Sequence, residues 1–261
     1  MYRLLVCTLL IMLKITPYCS AQTVMLDCYF NHETHRTKNG IERFHYLWND
    51  EKDSGFSSWG AIFKINGFEL DTLNKAPTLA NLHNSMIYII VDPDTKKENA
   101  NPNYIKAADV EQISLWVKAG GVLVMMANDS ANVELIHFNA LAAKFGLRFN
   151  NDLQNHVIDD AHFKDGEATG IDNTIFTSSP KIFMKDVSSI SLNNPAAKSV
   201  IKSTDGSSVI AATVKYGKGV VFTVGDPWLY NEYVNGRLPA GYQNDIAAMD
   251  LTIWLKKQIK R

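Results

Sequence analysis

The chain has 261 residues and sets 26 Lys and Arg against 27 Asp and Glu, for a formal net charge of −1. No basic stripe or run stands out from that near-neutral balance, so nothing in the sequence points to nucleic acid or to an anionic membrane surface as a partner.

Met1–Ala21 reads as an export signal. Arg3 supplies a basic start, Leu4–Leu13 is apolar except for Thr8, and Cys19, Ser20 and Ala21 form a small-residue cleavage site. The apolar run is shorter than the roughly 20 residues that span a bilayer. Cleavage after Ala21 predicts a periplasmic protein with no membrane span, in which 22–261 form a single α/β domain. It removes Cys7 and Cys19, leaving Cys28 alone, so no intramolecular disulfide is expected.

Thr23–Phe30 is the first predicted strand and Phe68–Leu73 a shorter one. Met86–Val91 (MIYIIV) and Val122–Ala127 (VLVMMA) are continuous apolar runs, as expected of strands covered on both faces. Between them, Ser57–Ile65 predicts a helix with Trp59, Ile62 and Phe63 on one side. Ala107–Ala119 predicts another, with Val110, Ile113, Leu115, Trp116 and Val117 inward and Gly120-Gly121 as its stop. Glu134–Phe145 repeats the pattern and stops at Gly146. Strand and helix alternating in this order predict βαβ units and a mostly parallel sheet with helices on both faces.

From Phe149 to about Ala197 the chain is polar and reads as loops and short strands. Val209–Val214, the turn Gly217-Lys218-Gly219 and Val220–Val224 predict a C-terminal β-hairpin. Asp245–Ile259 predicts a last helix with Ile246, Met249, Ile253, Trp254 and Leu255 inward.

Ligands of open α/β sheets sit outside the carboxyl ends of the strands. The residues that follow each predicted strand are polar: Asn31, His32 and Glu33; then Asp92 and Asp94; then Asn128 and Asp129; then Asp226. Any one of these is an ordinary turn or cap residue; four such groups delivered to one edge predict a site. Trp48 and Trp228 are candidates for stacking on a sugar ring, and Glu232 for a polar contact. His32, His45 and Tyr230 are candidate acids and bases, with Arg237 as the fork for a substrate carboxylate. Glu134 and His137 share a helix face, a weak metal signal.

No HExxH, paired CxxC or EF-hand loop occurs, so no dedicated metal site is expected, although Asp92, Asp94, Asp129 and Asp226 could gather a divalent cation. No glycine-rich phosphate loop or nucleophile elbow is present either, and no cofactor is expected.

The segments YFNHE (Tyr29–Glu33), FHYLWND (Phe44–Asp50), SGFSSWG (Ser54–Gly60), VDPDT (Val91–Thr95), NPNY (Asn101–Tyr104), WVKAGGVLVMMAND (Trp116–Asp129) and GDPWLYNEY (Gly225–Tyr233) together carry a resemblance. They resemble amidotransferase-like domains of Bacteroidetes polysaccharide-utilisation systems, which occur alone or joined to unsaturated glucuronyl and rhamnogalacturonyl hydrolases. The resemblance implies a flavodoxin-like, class I glutamine amidotransferase-like fold. Without the cysteine elbow it implies no amidotransferase activity. Stand-alone members include a dehydratase of ulvan oligosaccharides. The implied activity is therefore a carbon–oxygen lyase that removes water from a uronic acid at the non-reducing end of an acidic oligosaccharide, beside unsaturated uronyl hydrolases and sulfatases. A non-catalytic carbohydrate-binding accessory domain is the alternative, and a metal-assisted hydrolase using the aspartates a weaker third.

Overall fold

Alternation along the apolar runs builds two cores, one on each face of a central sheet. The computed structural model describes residues 22–129, 131–227, 231 and 236–259. The Met1–Ala21 segment read as an export signal lies outside the described residues, as do Trp228, Tyr230 and Glu232. The elements in chain order are β1 (Gln22–Asp27), β2 (Thr34–Thr37), β3 (Gly40–Arg43), α1 (Ser57–Ile65), β4 (Phe68–Leu73), β5 (Ser85–Val91), α2 (Ala107–Ala119), β6 (Val122–Met126) and α3 (Leu135–Lys144). There follow β7 (Leu147–Phe149), a 3-10 turn at Phe163–Gly166, β8 (Ile190–Leu192), β9 (Lys198–Lys202), β10 (Val209–Tyr216), β11 (Gly219–Val224) and α4 (Asn244–Gln258).

Seven strands form one sheet in the order β4-β1-β5-β6-β11-β10-β9. It is mixed but mostly parallel, since β10 alone runs against its neighbours β11 and β9. The expected hairpin is β10–β11, and its second strand enters the middle of the sheet beside β6, where all of its residues are buried. Val24, Leu26, Ile87, Ile89, Val124 and Phe222 face one core, shared with Trp59 and Phe63 of α1 and Leu251 and Leu255 of α4. Met25, Tyr88, Ile90, Leu123 and Val221 face the other, with Ile113 and Val117 of α2 and Phe138 and Leu141 of α3. Successive strand residues point to opposite faces, so a strand covered on both sides must be apolar throughout.

The 149–197 stretch is loops and short strands as expected, yet its few apolar residues matter. Ile175, Phe176, Ile182, Met184 and Val187 are buried and complete the α1/α4 core. The strand predicted to run to Phe30 ends at Asp27, so Cys28 lies just beyond it. That cysteine is buried and free, and burial pushes its thiol up to about 11.

Two inward faces differ from expectation. Leu115 on α2 is exposed, and on α4 Ile246 and Ile253 point outward while Ala247, Ala248, Leu251 and Leu255 face the sheet. Apolar residues occur on both the buried and the exposed sides of α4, so its inward side cannot be read from residue type alone. A hairpin, β2–β3, was not expected at all. Its side chains are exposed or half-buried, so it carries no apolar pattern to read.

Candidate functional site

Strand order reverses between β1 and β5, because β1 is followed by β4 on one side and by β5 on the other. The loops leaving these two strands therefore diverge and open a crevice at the carboxyl edge. Asp27 turns the chain out of β1 by accepting the Phe30 N–H at 2.7 Å and the Tyr88 hydroxyl at 2.6 Å. Burial dominates over these bonds and raises its carboxyl to about 6. The Asn31 amide donates to the Asp92 carbonyl at 2.8 Å, and Asp94 accepts from the His32 N–H at 2.9 Å and the Asn99 amide at 2.7 Å. These bonds lace the two loops into one wall. Burial likewise raises Asp94 to about 6.

The centre of the crevice is Asp92. Its carboxylate accepts the Tyr46 hydroxyl at 2.9 Å and the Asn128 amide at 3.2 Å, both on Oδ2, while Oδ1 is buried and has no hydrogen-bond partner among the described residues. Burial, then the neighbouring charge of Glu98, holds this carboxyl well above the usual carboxylate range. Burial also pushes Tyr46 up, aided by Asp92 and by Asp226, which is itself fully buried after β11. Asp92 has φ 43°, and the consecutive residues His45 and Tyr46 have φ 64° and 50°. Non-glycine residues in the left-handed region are costly and persist where surrounding contacts over-determine them, often at functional sites. Here the Tyr46–Asp92 bond joins two of the three.

The left-handed turn sets His45 at the mouth. Its Nδ1 lies 2.8 Å from Glu33 Oε1, with the imidazole 37% exposed and the carboxylate 6%. A carboxylate can only accept, so Nδ1 is the donor and Nε2 is the ring nitrogen turned away from Glu33. The Phe44 ring lies between those of His35 and His45, with centroids 4.5 and 3.9 Å away. Beside them is a cavity of about 350 Å³, lined by these three rings with Arg43, Lys52 and Ser54 among others. Arg43 spends part of its guanidinium on the Asn31 carbonyl at 2.8 Å and on Asn74 Oδ1 at 3.2 Å. The arrangement offers an imidazole held by a carboxylate, an aromatic face, and two cations set among the acidic Glu42, Asp50 and Asp53 within one recess.

No family model matches the chain, and no curated protein sequence matches it. Solved structures do. The N-terminal domain of mmIFT52 is similar with a TM-score of 0.66 at 18% identity, over 90% of this chain and 97% of that one. Cytoplasmic Protein STM1381 from Salmonella typhimurium LT2 gives 0.60 at 11%, over 92% and 100%. The exo-beta-1,4-mannosidase Op5Man5 from Opitutaceae bacterium strain TAV5 gives 0.51 at 13%, over 92% of this chain but 37% of that one. The likeness is one of fold.

Of the residues read from the sequence, Asn31, His32, Glu33, His45, Asp92, Asp94, Asn128 and Asp226 gather at this edge. His32 is half-buried, with Nδ1 3.0 Å from the Cys28 carbonyl. Asp129 closes a local turn by accepting the Ala131 N–H and the Asn132 amide. Trp48 does not face the crevice. Its indole donates to the Asp71 carbonyl at 3.0 Å on the outer strand β4, and its half-buried ring packs against Phe56, Trp59 and Phe63 at the edge of the core. Arg237 pairs with Asp160 at 2.7 Å. Glu134 caps α3 by accepting the His137 N–H at 2.9 Å, which accounts for the pair read as a weak metal signal. Among the described residues no group of three His, Cys, Asp or Glu side chains is placed to hold a metal ion. Tyr46, Arg43 and Lys52 were not singled out. Only Tyr46 had a signal, its place in the FHYLWND stretch.

Proposed function

We propose that the chain acts on acidic oligosaccharides, removing water from a uronic acid at the non-reducing end to leave an unsaturated uronyl end. The observation that carries this reading is the His45–Glu33 pair at the mouth of the recess, with Nε2 directed away from its carboxylate partner. Elimination of the 4-hydroxyl requires removal of the C5 proton, which is acidic only when the adjacent carboxylate is neutralised. Arg43 and Lys52, which share the lining with Glu42, Asp50 and Asp53, are the groups we assign to that neutralisation. His45 Nε2 takes the C5 proton, Glu33 stabilises the imidazolium, and the same proton passes to the departing 4-hydroxyl. A C4–C5 double bond forms and one water leaves. Phe44 offers its ring to the sugar face. Arg43 and Lys52 thus take the carboxylate-binding role that the sequence suggested for Arg237.

The β4-β1-β5-β6-β11 order supports a flavodoxin-like, amidotransferase-like fold, since it follows the doubly wound 2-1-3-4-5 pattern with its ligand crevice at the β1/β5 reversal. We place the activity in the periplasm, with unsaturated uronyl hydrolases consuming the product and sulfatases acting on the same oligosaccharides.

Oligosaccharides ending in a saturated uronic acid, incubated with the purified protein, are expected to lose one water and gain the ultraviolet absorbance of a conjugated carboxylate. His45→Gln is expected to slow this by on the order of 10²–10⁴-fold, the usual contribution of a general base. A second reading, a non-catalytic carbohydrate-binding domain, is favoured by the likeness of this chain to only 37% of an exo-mannosidase. Binding without conversion would select it and end the dehydratase reading.

A further inference from the structure

The loop after β5 has two sides. Asp92 and Asp94 belong to the crevice just described, whereas Thr95 and Lys96 line a separate cavity of about 630 Å³. Its other walls are Tyr104, the first turns of α3 from Val133 to Asn139, and Arg148, Phe149 and Asn151 at and beyond β7. The chemistry of this cavity differs from that of the acidic crevice. Lys96 and Arg148 are exposed, and neither makes an ion pair or a side-chain hydrogen bond among the described residues. The one acid in the lining, Glu134, is turned into its own helix as the α3 cap. The two cations therefore have no direct partner among the described residues, and the lining keeps an excess of one positive charge over Glu134.

The remaining walls are shaped for a ring. Tyr104 stacks flat on His137, with centroids 4.7 Å apart and planes 7° from parallel, which fixes its orientation. Ile136 is 81% exposed at the rim and offers an aliphatic edge. Asn139 is locked to the Phe149 backbone through both its amide and its carbonyl, at 2.9 and 2.8 Å, so the floor is rigid. Two unpaired cations, a fixed aromatic ring, an aliphatic rim and the exposed Asn151 amide suit a ligand with an anionic group on a ring that also has an apolar face. Sugars have such faces, and aromatic side chains pack on them.

We infer that this cavity is a second binding subsite, taking an acidic sugar unit through Lys96 and Arg148. The inference deepens the proposed function, resting on the reading that the substrate is an acidic oligosaccharide. A chain bound in the crevice would lie against the same loop and present a further charged unit here. The anionic group is a carboxylate or a sulfate ester, and the two can be told apart.

The test is a titration of the isotope-labelled protein with glucuronate, glucose 6-sulfate, glucose and inorganic sulfate, following the amide resonances of Lys96, Ile136 and Arg148. One or both acidic sugars are expected to shift these resonances, identifying the group that binds, while glucose does not. The exposed-site double variant Lys96→Gln/Arg148→Gln, with folding confirmed by circular dichroism, is expected to weaken that binding by about tenfold or more, since charge-assisted bonds are the stronger kind. His45→Gln should leave it unchanged. Unmoved resonances with both acidic sugars would overturn the subsite even if dehydration is observed. So would inorganic sulfate binding as tightly as the sugars, or wild-type affinity in the double variant. Shifts that persist in a protein without dehydratase activity would uphold the subsite and remove only the catalytic reading.

Discussion

Asp27 shows how burial can oppose the very bonds that make a residue useful. Three backbone N–H groups and the Tyr88 hydroxyl converge on its carboxyl, and each favours the ionised form, yet burial outweighs them and lifts the value from 3.8 to about 6. Because the folded-state value lies above the unfolded one, the folded chain holds more protons between them. Asp27 therefore contributes stability fully below about pH 3.8 and loses that contribution as pH rises through about 6. The difference amounts to about 3 kcal/mol as an order of magnitude, at 1.36 kcal/mol per pH step. Asp27→Asn keeps an acceptor for the Phe30 and Tyr29 N–H groups, and the Tyr88 hydroxyl can rotate to accept from the new amide. Denaturant unfolding of both proteins from pH 4 to 7.5 should show the variant gaining on the wild type as pH rises, with the gain levelling off above pH 6–7. A difference that does not vary with pH would mean that Asp27 is ionised in the folded protein throughout.

Among the elements, legibility followed burial. The β5 and β6 strands could be read to within a residue or so because both faces are covered, and α2 because its apolar face is closed by Gly120, whose φ of 130° suits glycine. The β2–β3 hairpin could not, since pairing there is made by backbone bonds between solvated residues. The strand-end rule found Asn31, Asp92, Asn128 and Asp226, but the left-handed turn that aims His45 and joins Tyr46 to Asp92 leaves no mark on residue type. Nor does the sequence reveal what braces the crevice from behind. Residues of the 149–197 stretch do so: the Ser188 N–H donates to the Gly225 carbonyl at 3.2 Å, and the Ser188 hydroxyl donates to the Asn128 carbonyl. A Cβ on Gly225 would fall on the Ser188 carbonyl oxygen. Gly225→Ala must push the brace away from the ends of β6 and β11, at a cost of about 1–3 kcal/mol typical of overpacking. The expected outcome is a lower unfolding midpoint together with shifted Asn128 and Asp226 resonances. Unchanged stability would show that the brace yields freely.

At the scale of the whole molecule, the two ends of the described chain are packed into one core. Helices α1 and α4 lie against the same face of the sheet, and the Trp59 indole donates to Thr252 Oγ1 at 3.0 Å across 193 positions of sequence. Lys256 adds a bond to the Asn66 carbonyl at 2.6 Å, closing the C-terminal end of α4 onto the end of α1. Between them Leu251 is fully buried against Val and Ile side chains of the strands. Truncating it to alanine would leave a cavity shared by the first and last helices, at a cost of about 2–5 kcal/mol. If 22–261 are one cooperative unit, that loss is felt everywhere at once. Far-ultraviolet circular dichroism, which reports α1–α4 among the described residues, and tryptophan fluorescence, which reports Trp48, Trp59, Trp116 and Trp254 across both cores together with Trp228, should then give coincident unfolding curves in the wild type. Leu251→Ala should move both curves by the same amount. A variant in which the fluorescence transition separates from the dichroism transition would instead divide the chain into units that unfold independently, because the α2/α3 face would survive the loss of the α1/α4 face.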